Sequence, residues 1–475
     1  MVNPARPSGQ FTGPRESLLA LALTVPLTVI YVILVVLSGG TATTLAWFPV
    51  ACVLLLALSS FEFALAMVVV SLFVNVHVWG FNSAVWSALP LGAAFLLKYG
   101  DFEWRELANP LTFPILVYGA CIIPSFFNAS QPLTCLVMLL NAAAFVIVLH
   151  VLVMALRSHG DIRTLAALYL GMALLNTAHV IVLYLSGVSR PFGFAGLMFV
   201  DLSAFSVCLA ATMSIVSRGR QRIGLLVLSL VLTVGLVLTQ TRNTWLSAII
   251  TLAFLGLYVA VHPEVAGISR RRMISTAIVG SALIAGMVLL VLLLNPKIAD
   301  RATEFSSKPA ISFNESGNPE NSLGTRLMIW DTALNAFMAH PIAGIGVYSF
   351  PYASRQYYTI PRVLYEEFVD ERTPHQTHLA VLTETGLIGF AGFLFFLTSA
   401  VRRAFTSITL ARGEDGKRYA LVAAIAVVYC TVSMLFTDAW LWGQLIVMLG
   451  MVLGVMLAIR KIDTVSEPGK AVMPR

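Results

Sequence analysis

Apolar runs of about twenty residues recur from one end of this chain to the other, and nothing else restricts its fold as strongly. A hydrocarbon core about 30 Å thick is crossed by roughly 20 apolar residues in a helix. Runs of about that length fall near residues 17–38, 42–58, 61–78, 84–98, 111–127, 132–156, 162–186, 196–217, 222–239, 242–262, 272–295, 379–401, 418–437 and 439–459. The second to fourth are the weakest, and 84–98 is short with Pro90 inside it, which suits a partial span. The expected fold is therefore an all-α polytopic membrane protein with twelve to fourteen transmembrane helices. Composition removes the alternatives. The 475 residues are 58% hydrophobic and 11% charged, with mean hydropathy +0.86, whereas an ordinary globular chain is about 25% charged. A soluble core would stop growing at about 250–300 residues. Disorder, nucleic-acid binding and a disulfide-stapled fold are excluded with it.

The basic residues then set the topology. Lysine and arginine concentrate in short cytoplasmic loops. With the N-terminus inside, such loops hold Lys98 and Arg105; Arg157 and Arg163; Arg218, Arg220 and Arg222; Arg270, Arg271 and Arg272; and Arg402, Arg403, Arg412, Lys417 and Arg418. The tails add Arg6, Arg15, Arg460, Lys461, Lys470 and Arg475, so 21 of the 30 basic residues fall on one side. Every second loop is basic and the others nearly bare, which fits an even number of spans with both termini cytoplasmic. The first apolar run lacks a small-residue cleavage site and reads as a span rather than a removed signal. All five cysteines (Cys52, Cys121, Cys135, Cys208, Cys430) lie within apolar runs, as small packing residues rather than disulfides or zinc ligands.

Three regions follow: an N-terminal transmembrane bundle over 1–295, a long external loop over 296–378, and C-terminal helices with a cytoplasmic tail over 379–475. The loop holds seven of the nine basic residues left outside. Its helical stretch Thr325–His340 repeats Ile329, Trp330, Ala333, Leu334, Phe337 and Met338 at helical spacing, as an amphipathic helix on the membrane face or over the bundle would. A long loop of this kind points to function.

Arg190 and Arg242 are the two remaining outside cations. Either suits a headgroup anchor, but Arg242 lies in the polar break Thr239-Gln240-Thr241-Arg242-Asn243-Thr244-Trp245. A forked guanidinium among hydroxyls and amides is suited to hold a diphosphate. His375 and His378 stand in Thr373-Pro374-His375-Gln376-Thr377-His378, where the loop re-enters the membrane. Pro374 suits a first helical turn, with both imidazoles near a helix N-terminus that favours their neutral form, the form a general base requires. A polar rim is the plain alternative. A metal site lacks support from any HExxH, DxD or Asp/His cluster nearby. Glu384, Asp201 and Asp438 are ionisable residues within or beside spans, and so candidates for function or for pairing with arginine.

Three of these pieces together resemble the O-antigen ligase family, whose C-terminal region also occurs in O-antigen and exopolysaccharide polymerases and in O-oligosaccharyltransferases. The first is Thr241-Arg242-Asn243-Thr244-Trp245-Leu246, with threonine where serine is common. The second is Arg326-Leu327-Met328-Ile329-Trp330, continuing to His340-Pro341-Ile342-Ala343-Gly344-Ile345-Gly346. The third is His375-Gln376 followed after nine residues by Gly386-Leu387-Ile388-Gly389. The resemblance covers roughly 235–395. It implies a metal-independent, cofactor-free, inverting glycosyltransferase of the GT-C-like integral-membrane type, in the bacterial inner membrane with its active site facing the periplasm. The implied donor is an undecaprenyl diphosphate-linked glycan, and the implied acceptor is lipid A-core or a growing polysaccharide. It assigns His375 as catalytic base and Arg242 and Arg326 as diphosphate ligands. Arg190 joins them on topology alone, and His378 and Glu384 are candidates for orienting the base or lining the acceptor cleft. Ligation onto lipid A-core is favoured, with polymerisation the alternative. A glycan transporter is more distant, because no repeated halves are visible.

Overall fold

The computed structural model describes residue 57 and residues 60–74, 77–78, 81–99, 107–266, 322–439 and 442–465. The expected spans 17–38 and 272–295, nearly all of 42–58, and the loop residues 296–321 lie outside the described residues.

The described chain is helical apart from one two-residue antiparallel pair, β1 (His77–Val78) and β2 (Phe81–Asn82). Its first helices are α1 (Phe61–Leu72), α2 (Ser83–Tyr99) and α3 (Thr112–Phe126), followed by α4 (Pro132–Ala155), α5 (His159–Leu185) and α6 (Phe199–Val216). Then come α7 (Gly219–Leu238), α8 (Arg242–Val261), the loop helices α9 (Ser322–Ala339) and α10 (Arg362–Phe368), and finally α11 (Thr377–Leu410), α12 (Gly413–Ser433) and α13 (Gly443–Val465). Eight of the described helices are long and apolar enough to cross a membrane: α4 to α8 and α11 to α13. They coincide with eight of the expected spans, and the chain is a polytopic membrane protein. The run 84–98 gives the short helix expected of a partial span, whereas the run 61–78 falls short of its expected length. The run 61–78 yields only the 12 residues of α1, which ends at Leu72, and its last two residues belong to β1; α3 has 15 residues and α2, with Pro90 inside, has 17. At 1.5 Å per residue these helices are about 18–26 Å long and fall short of the core thickness.

Local chemistry sets several boundaries. Ser158 Oγ accepts from Asp161 N–H at 3.2 Å while Asp161 Oδ2 accepts from Ser158 N–H at 2.9 Å, a capping box that starts α5. Interhelical packing uses small residues, as expected where lipid offers as much apolar contact as a neighbouring helix does. In α13, Gly450 and Gly454 lie so close to α4 that an added Cβ would stand 2.9 Å from the carbonyl oxygens of Phe145 and Leu149. Sequence spacing of four puts both glycines on one face of α13, and the two backbones meet there.

The helices run between two chemically distinct ends. At one, Lys98 pairs with Glu62, Arg218 with Glu414 at 2.7 Å, and Arg163 donates to the Tyr419 hydroxyl. At the other, Arg190 reaches Thr239, Asn243 reaches Phe436, and Asn128 donates to the Gly344 carbonyl at 2.9 Å. Loops grouped by charge in the sequence are thus neighbours in space, and the loop helices α9 and α10 sit at the second end.

Candidate active site

The site is built at that second end around one buried carboxylate. Asp438, in the turn between α12 and α13, has a side chain with 0% exposure. Its Oδ2 accepts from His375 N–H at 2.9 Å and from the Thr373 hydroxyl, and its Oδ1 accepts from Gln376 N–H at 2.9 Å. The same Oδ2 lies 3.3 Å from His375 Nδ1. Trp330 Nε1–H, from α9, donates to the Pro374 carbonyl at 2.8 Å. These contacts change what the sequence suggests. Pro374 and His375 do not form a first helical turn: α11 starts at Thr377, and His375 precedes it with φ +53°. Left-handed backbone is uncommon outside glycine. It is held here because both amides turn to Asp438 instead of into a helix, and Thr377 N–H donates to the Thr437 carbonyl at 3.0 Å. The His375 ring remains 46% exposed.

Asp438 also joins the histidine to the arginines. Arg326, in the second turn of α9, is half-buried; burial pulls its pKa down, the charge of Asp438 pushes it back up, and the neighbouring charge of Arg242 lowers it again. Arg242 is the first residue of α8, and Thr241 before it provides no side-chain cap. The uncapped amides of that helix end and two guanidinium groups make a strongly anion-attracting corner. Arg190 is tied to the same turn: its Nε donates to the Thr239 carbonyl at 3.3 Å, its Nη2 reaches Thr241 Oγ1 at 3.5 Å, and its guanidinium lies over Phe192. Gln240 Nε2 donates to the Ser189 carbonyl at 2.6 Å, which fastens the Arg190 loop to the Arg242 turn.

The glycines of the second and third motifs explain each other. Segment 341–346 lies along α11: Ile345 and Gly346 N–H donate to the Thr383 and Glu384 carbonyls at 3.1 and 3.0 Å, and Leu387 N–H donates to the Pro341 carbonyl at 2.8 Å. The helix is kinked at Gly386, φ +63°, where an added Cβ would sit 2.3 Å from the Ile342 oxygen. At Gly344, φ +69°, it would sit 2.3 Å from the Glu384 carbonyl. Only glycine permits the loop to dock there. Glu384, 1% exposed, belongs to this joint: its carboxylate accepts from Tyr348 N–H at 2.9 Å and from Phe350 N–H at 3.2 Å. It holds the loop from below. Tyr348 has φ +57°, and burial, Glu384 and Asp438 all push its phenol pKa up. His378 packs into the bundle: its ring meets Phe393 edge-on at 5.4 Å, and its Nδ1 is buried with no partner among the described residues.

Asp438 stood in the sequence only as one of three ionisable residues open to function or to pairing with arginine. Its only signal was a carboxylate placed between the last two apolar runs. Asn128 had none. Among the described residues, no three His, Cys, Asp or Glu side chains are placed to hold a metal ion.

Residues 224–394 match the sequence model of a family described as O-antigen ligase. That region, about a third of the chain, is similar to the O-antigen ligase family. No individual curated protein matches the chain. The O-antigen ligase match spans α7 to the kinked first half of α11 and includes Arg242, Arg326, His375, His378 and Glu384. Asp438, Arg190 and Asn128 lie outside it and reach the site only through the fold.

Proposed function

We propose that this protein is an inverting membrane glycosyltransferase that moves a glycan from a polyprenyl (undecaprenyl) diphosphate carrier to an acceptor hydroxyl, ligating O-antigen to lipid A-core. The observation that carries this reading is the junction at Asp438. One buried carboxylate fixes the His375 loop and is electrostatically linked to Arg326, which is linked in turn to Arg242. A candidate base and a paired-arginine anion site thereby share one corner of the bundle, as transfer from a diphosphate donor requires.

The leaving group is a diphosphate, already good, so most of the barrier lies in charge stabilisation and in-line positioning. Arg242 and Arg326 match phosphate oxygens with forked donors and hold the charge that leaves with the carrier. Nδ1 of His375 faces Asp438, which favours the tautomer with its proton there and leaves Nε2 free to take the acceptor hydroxyl proton as it attacks the anomeric carbon. Such a base contributes about 10²–10⁴-fold. Arg190 adds charge behind Arg242, and no metal takes part. The site faces the periplasm of a bacterial inner membrane, because the opposite end carries the basic loops.

The test is turnover of a purified lipid-linked glycan with lipid A-core as acceptor, in excess chelator. Product formed at the wild-type rate supports the reading; activity that vanishes and returns with a divalent ion overturns its metal-free part. In a deletion strain, loss of all long-chain lipopolysaccharide with accumulated lipid-linked polymer indicates ligation, and capping with a single repeat indicates polymerisation.

A further inference from the structure

The bundle contains a second feature at its basic end, far from His375. Helix α5 stands apart from α12 and α13, and a half-open apolar cavity of about 80 Å³ lies between them and α6. Leu165 and Ala166 of α5, Leu209 of α6, Val422 of α12 and Met451 and Val455 of α13 are among the residues that line it. Ala166, Leu209, Val422 and Val455 are only partly buried, so the cavity is open along the apolar flank of these membrane-spanning helices.

A polar bracket closes the cavity at the basic end. The Tyr419 ring lines the cavity, and its hydroxyl accepts from both Nε and Nη2 of Arg163 at 3.0 and 2.9 Å. On its other face Tyr419 stacks on His159, ring centroids 4.8 Å apart at 15°. His159 Nε2 lies 3.3 Å from Asp463, whose carboxylate also accepts from Arg412 N–H at 3.2 Å. Arg163 is exposed, and its Nη1 meets no acceptor among the described residues. The surrounding loops, 156–163, 217–222 and 402–418, carry ten basic residues against three acidic ones.

We infer that this cavity is a binding site for one anionic phospholipid of the leaflet at the basic end, with an acyl chain in the cavity and the phosphate on Arg163. An apolar void facing lipid is filled by hydrocarbon at no cost in polar desolvation. The Arg163 fork, preset by the Tyr419 hydroxyl, presents its remaining edge to phosphate. The excess of positive charge selects an anionic over a zwitterionic headgroup, since each basic residue near the surface strengthens the attraction. The site does not depend on the reaction at the other end. It joins α5 to α12 and α13, which otherwise meet mainly through the bracket and Tyr169.

The experiment uses the full-length protein in detergent, depleted of lipid, with phosphatidylglycerol or phosphatidylcholine of identical acyl chains added back. Native mass spectrometry and thermal unfolding are read together. Wild-type protein retains one tightly held phosphatidylglycerol, bound roughly tenfold better than phosphatidylcholine, and its melting temperature rises by a few degrees with the anionic lipid only. In Arg163→Gln the preference disappears. In Ala166→Phe, which fills the cavity from its partly exposed side, the tightly held lipid is lost while the melting temperature without lipid stays at or above that of wild type. Equal binding of both lipids by wild type, or undiminished phosphatidylglycerol binding in both variants, overturns the proposal.

Discussion

Replacing Asp438 by asparagine separates a positioning role from a donor-binding one. The side chain is fully enclosed, so its hydrogen bonds are not shared with bulk water. Asparagine fills the same space but keeps one acceptor oxygen instead of two. If that oxygen stays on the His375 side, the amide NH₂ meets the Gln376 N–H; if it stays on the Gln376 side, the NH₂ meets His375 N–H and the Thr373 hydroxyl. At least one bond to a charged acceptor is lost, at about 1.5–3 kcal/mol, and a donor–donor contact replaces it. The charge opposite His375 Nδ1 is lost as well. A misplacement worth about 3–4 kcal/mol in the transition state corresponds to roughly two to three orders of magnitude in kcat. Donor binding moves the other way. Asp438 offsets the charge of Arg326, so its neutralisation leaves KM for the lipid-linked donor unchanged or lower. The assay is steady-state transfer with purified donor and acceptor, with a melting curve to confirm folding. Turnover within about threefold of wild type refutes the role of Asp438 in positioning His375. A raised donor KM with kcat preserved refutes it equally, because it places Asp438 in the diphosphate site.

His375→Ala should reduce transfer by at least about two orders of magnitude with donor binding retained, whereas His378→Ala, whose ring packs on Phe393, should lower activity less; steady-state kinetics of the two variants decide this. Arg242→Lys and Arg326→Lys should each lose most activity because lysine lacks the fork, while Arg218→Lys at the basic end should behave as wild type in the same assay. Gly386→Ala should lower the melting temperature by several degrees, or prevent accumulation in the membrane, since the added methyl meets the Ile342 carbonyl at an unfavourable φ. The Arg355 guanidinium, hydrogen-bonded to Asp370, holds that carboxyl below its usual range. Its contribution to loop order is therefore complete above about pH 4 and fades as pH falls through the lowered value, which hydrogen exchange of residues 365–370 between pH 3 and 6 should register.

The fold was legible wherever one physical rule dominated. Runs from 132 onward met the length and apolarity of a span, and the eight that fall on described residues each appear as a long helix, with ends that differ by up to nine residues at α11. The run 61–78 failed because hydropathy does not register the end of the helix at Leu72, and His77–Val78 within the same apolar run pair as a strand instead. Within the site, residue type and spacing singled out Arg242 and His375 as candidates, while Arg326 entered only through the resemblance of its segment to the O-antigen ligase family. The roles of Gly344 and Gly386 were not readable, since each glycine is required by a backbone that arrives from 40 residues away. His375 shows the same limit: its proline and helix-start context suggested a regular first turn, but the left-handed conformation comes from a carboxylate supplied by the turn between α12 and α13.

That dependence has a consequence for how the protein is organised. The residues that resemble the O-antigen ligase family end at 394, yet His375, the base proposed among them, is held in place by Asp438, which follows a further helix and a half. Asp438 is fixed by α12, whose C-terminal carbonyls at Met434 and Thr437 receive the Thr377 amide, and by α13, locked onto α4 through Gly450 and Gly454. Arg190 reaches the site from the α5–α6 loop, and Asn128 from the α3–α4 loop. A chain cut to the matched region would keep both motif arginines and the histidine but lose the carboxylate that forces His375 out of helical geometry. The His375–Gln376 amides would then be free to continue α11 by two residues, as the local sequence alone favours, and the imidazole would turn with them. The working geometry is thus a property of the whole bundle, imposed on a segment whose own preference is different.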